Sequence, residues 1–434
     1  MARPGPSHAY PRELSSFVLS RLEELGVTAQ GLTFPEDSDV VESVLSVAYQ
    51  VSLLRDEDRT LTFRLAIASP DAFDPNGWVP RGVHPLKFTV PRPFAVHELR
   101  KLATAVKFPR SVIGAYVFED RLLLWGMLHT GPRWLQTVRG GRGGAPELPS
   151  VLLIHVNGPG NLVVNLGSRT LARLYAGELT IPMLDVFESQ WLAQSFAPVR
   201  GEVAALYGAD GEGKEGWPAL DLELVRRIGQ SFTRRIISTI RGARHGGTLL
   251  VVQPQCLEDM CKRGLVELKY RFEDSEPRRR FRTLLSATLR QLGEEKRGKG
   301  SRIGWEDYEA STTPATAQLD EGIMEMAYLV SALADVDGLV VMTHRFELIG
   351  FGGIISGKLE EVPMISQALD LEGATRIEEQ TDGMGTRHRA AYRLVASVHD
   401  AICIVVSQDG GVRFVRWHDG GVVYWDQVAA QTFG

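Results

Sequence analysis

The run Ala401-Ile402-Cys403-Ile404-Val405-Val406 contains no polar residue with which to face water. A stretch without polar alternation reads as a strand covered on both faces, and such strands belong to sheets with helices packed on either side. The surrounding sequence supplies those layers. Leu222, Leu224, Val225, Ile228, Phe232 and Ile236 recur at helical intervals, so residues 220–240 are expected to form an amphipathic helix. Thr248 to Val252, after Gly246-Gly247, reads as a short buried strand, Arg278 to Leu292 as a basic helix and Leu319 to Ala334 as a further helix. Leu339 to Met342 and Phe346 to Ile349 read as strands across a tight polar turn. Val412 to Arg416 and Val422 to Trp425 read as two more across His418-Asp419-Gly420-Gly421. Gly293 to Gln318 is expected to be a polar loop and Lys358 to Asp382 a charged connection. Residues 220–434 are therefore expected to form an α/β domain with a mixed central sheet flanked by helices.

The preceding part has a different grammar. Leu14, Phe17, Val18, Leu22 and Leu25 have helical spacing and stop at Gly26. Val44 to Leu54 and Thr60 to Ala68 read as a hairpin around Arg55-Asp56-Glu57-Asp58, followed by a proline-rich loop from Pro70 to Pro93 and a helix from Val96 to Val106. Two further hairpins pair Val112–Phe118 with Arg121–Met127 and Val151–Val156 with Leu162–Leu166, with a glycine-rich tip at Arg139 to Gly144 between them. A helix from Met183 to Gln194 closes the segment. Residues 1–207 are expected to be an α+β domain with mainly antiparallel strands. His84, His97, His129 and His155 are scattered through it without forming a catalytic pattern, so the reading is a structural or ligand-sensing module.

Residues 208–219 have the glycine and charge content of a linker. Gly208 and Gly213-Lys214 imitate a phosphate-binding loop. The residue after the lysine, which would hold magnesium, is however Glu215 and not Ser or Thr.

The formal net charge of -5 argues against a general nucleic-acid partner, so anion binding has to be local. Cys256, Cys261 and Cys403 make no disulfide framework, which suggests a reducing compartment. The first residues lack the apolar core of a signal peptide, and no run approaches the roughly 18 apolar residues of a membrane span. The expectation is a cytoplasmic protein with no membrane segment.

Local anion chemistry is concentrated in Gly385-Thr386-Arg387-His388-Arg389-Ala390-Ala391. Gly385 lets a ligand approach the backbone, Thr386 is a candidate helix cap, and the N–H groups of a first helical turn attract an anion. Arg387 and Arg389 add forked cations, and His388 can donate or accept.

With Asp337-Gly338-Leu339 and with Asp400 through Val405-Val406-Ser407-Gln408-Asp409-Gly410, this element resembles the DisA-type diadenylate cyclase domain. That family's signatures are an Asp-Gly-Ala, a Gly-Thr-Arg-His-Arg-Ala-Ala and a buried strand ending in Ser-Glu-Glu-like residues. Gly247 to Val252 looks like its first strand, so the resemblance covers Leu220 to Trp425, about half of the chain. The preceding half resembles the sensor domains fused ahead of such cyclases.

The resemblance implies condensation of two ATP molecules into cyclic di-AMP with release of two pyrophosphates. Two subunits would meet face to face, each 3′-hydroxyl attacking the other nucleotide's α-phosphorus, so that a homodimer or higher oligomer is required. It implies that Asp337 deprotonates or polarises the 3′-hydroxyl and helps to hold Mg²⁺ or Mn²⁺, with Asp409 as a second metal ligand. Thr386, Arg387, His388 and the helix start would grip the phosphates, Arg389 would assist or orient them, and Ser407 would meet the phosphate tail. Gly338 and Leu339 would border the nucleotide, and Gly353, Ile354 and Ile355 would form the adenine wall.

Leu339 replaces a small residue of the family pattern, Gln408-Asp409 replaces two glutamates, and the stretch from Asp337 to Gly385 is longer than usual. Three readings follow. The first is an active cyclase regulated by a sensor of unspecified ligand. The second is a degenerate domain that only binds a nucleotide or cyclic dinucleotide, and the third is a nucleotidyltransferase with a different cyclic or linear product. The acid at Asp337 favours the first, because a pure binder has no need of a carboxylate beside a polyanion.

Overall fold

The computed structural model describes residues 8–27, 38–73, 84–106, 111–119, 121–129, 151–167, 169–180, 184–243, 245–356, 358–408 and 410–427. Among these, residues up to 180 form one compact unit and residues from 184 form a second.

In the first unit, helix α1 (Pro11–Glu24) begins with a proline at its first turn and buries Leu14, Val18 and Leu22 along one stripe. Helix α2 (Ser38–Ser52) buries Val41, Val44, Leu45, Ala48 and Val51. The expected hairpin strand Val44–Leu54 is therefore mostly this helix. Its valine content imitates a strand, but the burial period is helical, and only Arg55–Asp56 and Arg59–Thr60 pair as a short hairpin. The remaining elements are β1 (Phe63–Ile67), β2 (His84–Pro93), α3 (Val96–Ala105), β3 (Ser111–Phe118), β4 (Arg121–His129), β5 (Leu152–Gly158), β6 (Asn161–Leu166), β7 (Arg169–Tyr175) and β8 (Glu178–Thr180). They form an eight-stranded sheet in the order β8-β7-β6-β5-β1-β3-β4-β2, antiparallel throughout except for β1 with β3. The proline-rich stretch ends in strand β2, whose His84 stands opposite His129 in register. The expected glycine-rich tip at 139–144 lies outside the described residues.

The second unit opens with α4 (Gln190–Ser195) and α5 (Ala197–Asp210), then α6 (Leu222–Ala243), β9 (Gly247–Val252), α7 (Pro254–Lys262), β10 (Val266–Arg271), α8 (Arg280–Lys296), α9 (Trp305–Ala310) and α10 (Pro314–Leu333). Strands β11 (Leu339–Thr343), β12 (Leu348–Ile355), β13 (Met364–Ala368) and β14 (Arg376–Gln380) follow. Helix α11 (Thr386–Ser397) and strands β15 (Ile402–Val406), β16 (Val412–His418) and β17 (Gly421–Asp426) complete it. The nine strands are ordered β10-β12-β11-β9-β15-β16-β17-β13-β14, with β9 parallel to β11, β17 parallel to β13 and the other neighbours antiparallel.

The central strands are buried on both faces, as their unbroken apolar runs require. Leu249, Val251, Val340, Met342, Ile402 and Ile404 face one core with α6, α8 and α10. Leu250, Val252, Leu339, Val341, Cys403 and Val405 face the other, with α7 and α11. The result is a mixed sheet between two helical layers. Burial pushes the Cys403 thiol up to about 12, leaving it a packing residue.

Four expectations change here. Val186, Phe187, Trp191, Leu192, Val203 and Tyr207 belong to the second unit's core, so residues 184–207 sit with the C-terminal part and not with the N-terminal one. The expected linker begins as the end of α5, and its Lys214 is paired with Glu294 at 2.6 Å, a structural contact and not a phosphate grip. The expected loop at 293–318 contains the end of α8, helix α9 and the start of α10. It is held at Glu295, which accepts from Ser311 (2.8 Å), Thr313 (2.6 Å) and Thr316 (2.9 Å). The charged connection at 358–382 likewise holds the β13–β14 hairpin.

Candidate functional site

Sheet register brings distant motifs to one end of the molecule's second unit. Thr248 pairs with Leu339, and Gly247 with Val406. The residues before β9, those before β11 and those after β15 therefore meet at a single edge, placing Gly246, Asp337-Gly338 and Ser407 together. Ligands of open α/β sheets usually sit beyond carboxyl ends of strands. Here the amino ends of β9 and β11 contribute, because β15 runs antiparallel between β9 and β16.

Helix α11 brings the basic motif to this edge. Ala391, Tyr392, Leu394 and Val395 are buried against the sheet, which fixes the helix axis and leaves Thr386 exposed at its start. The loop before it is tied down by buried Thr381, whose hydroxyl donates to the Val362 carbonyl at 2.7 Å. Gly385 occupies the N-cap, with no side-chain cap, so Thr386 is the first helical residue and does not cap. Arg389 N–H donates to the Gly385 carbonyl at 3.2 Å. The N–H groups preceding it lie outside the helical ladder, where a helix presents them to an anion. A methyl group at Gly385 would meet nothing nearer than His388 Nδ1 at 3.6 Å. The chain's own packing therefore does not require glycine there.

Arg387 is the hub. Its Nη1 donates to the His245 carbonyl at 3.1 Å and its Nη2 to Asp337 Oδ1 at 3.4 Å. The Asp337 side chain is 100% exposed. Gly338 has φ +122°, and a side chain there would run into the Gly353 carbonyl at 2.7 Å. Its glycine is thus required both by conformation and by the close approach of β12. Gly246, at φ +67°, is equally constrained, since a Cβ would meet the Val406 carbonyl at 2.7 Å and Arg387 Nη1 at 2.9 Å. Ser407 N–H and Oγ both donate to the Gly411 carbonyl, at 2.9 and 3.1 Å, closing the turn after β15. Arg241, at the end of α6, lies against this turn, its Nε 3.3 Å from where a Gly410 side chain would begin.

The other expected residues are placed less uniformly. Arg389 is partly buried, and its Nε has no hydrogen-bond partner among the described residues, a donor that calls for an explanation. The His388 ring lies 6.3 Å from that of Tyr392. Ile354 is 63% exposed at the Asp337 end of β12, so it is available as a wall. Leu339 is not: it is buried, packs in the core and abuts Gly353, and Ile355 packs partly against the same core. Asp409 lies outside the described residues. His245, Gly246 and Arg241 were missed. His245 and Gly246 adjoin a recognisable strand start, but their proximity to Arg387 depends on the sheet closing.

Among the described residues no three His, Cys, Asp or Glu side chains converge on a metal-sized position. Asp337 is the exposed carboxylate at this edge that could ligate a divalent cation. Arg387 beside Asp337, Arg241 against the turn after β15 and the start of α11 are groups of the kind that attract a polyphosphate.

Residues 352–419 match the family described as "DisA bacterial checkpoint controller nucleotide-binding" (DAC), a span that includes Gly385 to Arg389 and Ser407 and stops short of Asp337. Residues 32–129 match the "Probable sensor domain DACNV". No curated protein matches the chain. Among solved structures, a hypothetical membrane-spanning protein from Bacillus cereus is similar over 55% of this chain and 94% of its own, with 14% identity and a TM-score of 0.22. No helix among the described residues is long and apolar enough to cross a membrane. In chain order, a segment that matches the DACNV sensor-domain model precedes one that matches the DisA-type nucleotide-binding (DAC) model.

Proposed function

We propose that this protein is a diadenylate cyclase that joins two ATP molecules into cyclic di-AMP and releases two pyrophosphates, under control of its N-terminal unit. The observation that carries the reading is the Asp337 carboxylate, fully exposed and held by an arginine in the first turn of α11. A carboxylate in that position repels a bare polyanion, but it can accept the proton of a hydroxyl nucleophile and ligate the cation that accompanies the phosphates.

Each reaction step forms a bond between a 3′-oxygen and an α-phosphorus and breaks the bond from that phosphorus to the pyrophosphate oxygen. The hydroxyl proton passes to Asp337. Arg387, Arg389 and the first turn of α11 stabilise charge on the departing pyrophosphate, and Ser407 borders its tail. Mg²⁺ or Mn²⁺ would be held by Asp337, and by Asp409 after β15, together with phosphate oxygens, and supplies charge neutralisation at the phosphates. Ile354 offers the apolar surface for adenine. Because Asp337 stands open at the rim, the acceptor hydroxyl is best supplied by a nucleotide on a second copy, which makes a face-to-face homodimer the active form. ATP as substrate and free Cys256, Cys261 and Cys403 suit the cytoplasm.

The test is to incubate purified protein with each nucleoside triphosphate and either metal and to identify products by mass spectrometry. Cyclic di-AMP that is lost in Asp337→Asn supports the proposal. Saturable ATP binding with no product under both metals, at concentrations that form dimers, would reduce the domain to a binding module.

A further inference from the structure

A cavity of about 80 Å³ lies within the second unit, between its helical layer and one face of the nine-stranded sheet. Leu249, Val251, Met342, Ile402, Ile404 and Phe414 form its sheet side. The residues opposite include Leu192, Phe196 and Val199 from the α4–α5 segment. Interiors rarely leave space beyond a single water. This one has room for roughly five to eight water-sized groups, and its apolar walls offer water almost nothing to bond to.

One wall is built at a conformational cost. Phe346 has φ +58°, a left-handed backbone that a bulky residue seldom adopts, and its ring stacks on Phe196 at 5.4 Å.

Arg200, Arg226, Arg282 and Arg345 also border the cavity. Arg226 forks onto Glu223 at 2.7 and 2.6 Å, and Arg345 and Arg282 share Glu202 at 2.7 and 3.4 Å. Arg200 has no carboxylate partner among the described residues; its Nη1 donates to the Ala193 carbonyl at 2.7 Å. Burial, and then the neighbouring Arg226, hold its pKa below the ordinary arginine value against the opposing charge of Glu223, so a further negative charge there is favourable.

We propose that this cavity binds a small amphipathic anion, a medium-chain fatty carboxylate in chemical class, with its tail along the sheet and its carboxylate on Arg200. It is separate from the Asp337 edge. Met342 and Arg345 stand at the far end of β11 from Asp337, and Ile402 at the far end of β15 from Ser407. The inference does not depend on the cyclase reading.

The test is calorimetric titration of the full chain with octanoate and with octanol. Octanoate should bind saturably and raise the melting temperature, and octanol should bind about tenfold or more weakly for want of the charge-assisted contact. Arg200→Met, which keeps the stem's bulk, should bring octanoate to the affinity of octanol, and Ala193→Leu should fill the space and remove both. Saturating ATP should leave octanoate binding undiminished. Absence of saturable octanoate binding, equal affinity for octanoate and octanol, competition by ATP, or binding that survives both substitutions would overturn the proposal. If a variant fails to fold, the comparison of the two ligands on the unaltered chain still decides it.

Discussion

Arg387 donates from one end of its guanidinium to the His245 carbonyl at 3.1 Å and from the other to Asp337 Oδ1 at 3.4 Å, joining the loop before β9 to the residue before β11. A lysine is a point charge and cannot make both contacts. Arg387→Lys should therefore lower ATP affinity about tenfold, read by calorimetry. Its melting temperature should hardly change, because an ion pair with a fully exposed Asp337 is screened by solvent.

Asp337→Asn preserves shape and removes the proton acceptor. Product formation in single-turnover assays should fall by about 10²–10⁴-fold, while ATP affinity measured without divalent metal holds or rises, since a negative charge beside the phosphates is gone. A parallel loss of binding and turnover would instead mark Asp337 as a binding group.

Two glycines of the site should behave oppositely. Gly338→Ala places a Cβ 2.7 Å from the Gly353 carbonyl at a φ of +122°, and should cost on the order of 2–3 kcal/mol in chemical denaturation. Gly385→Ala has φ -59° and no close contact, so stability should stay within about 0.5 kcal/mol. Its nucleotide affinity should nevertheless drop, because the methyl group occupies the approach to the helix start.

His344 gives a pH signature of folding. Burial pushes its pKa down to about 4, with Asp400 opposing and Arg416 reinforcing the shift; its ring lies 4.9 Å from that of Phe196. The unfolded chain takes up this proton near pH 6.5, and the folded chain does so only near 4. The associated stability is full above about pH 6.5 and is lost as pH falls toward 4. Between pH 7 and pH 5 this histidine should account for a loss of about 2 kcal/mol in urea denaturation, and His344→Gln should flatten that slope.

Much of the second unit is legible in the sequence, because its central strands are covered on both faces and so carry unbroken apolar runs. Ala401 to Val406, Thr248 to Val252 and Leu339 to Met342 could hardly be anything else. The β13–β14 hairpin was hidden for the opposite reason. Met364–Ala368, next to the sheet's edge, and the edge strand Arg376–Gln380 are only partly buried and read as charged coil. Helix α2 was hidden by composition, its valines favouring a strand while their spacing favoured a helix.

By itself the sequence determined the chemical inventory: a basic helix start, an Asp-Gly ahead of a buried strand, and a serine after another. Those follow from residue type and local period. Only the tertiary structure decided that Arg387 spans His245 and Asp337, that Gly246 and Arg241 belong at the same edge, that Leu339 is core and not wall, and that residues 184–207 pack with the second unit. Each of these depends on strand register and on which face of a sheet a side chain leaves, and those are set by contacts between residues far apart in the chain.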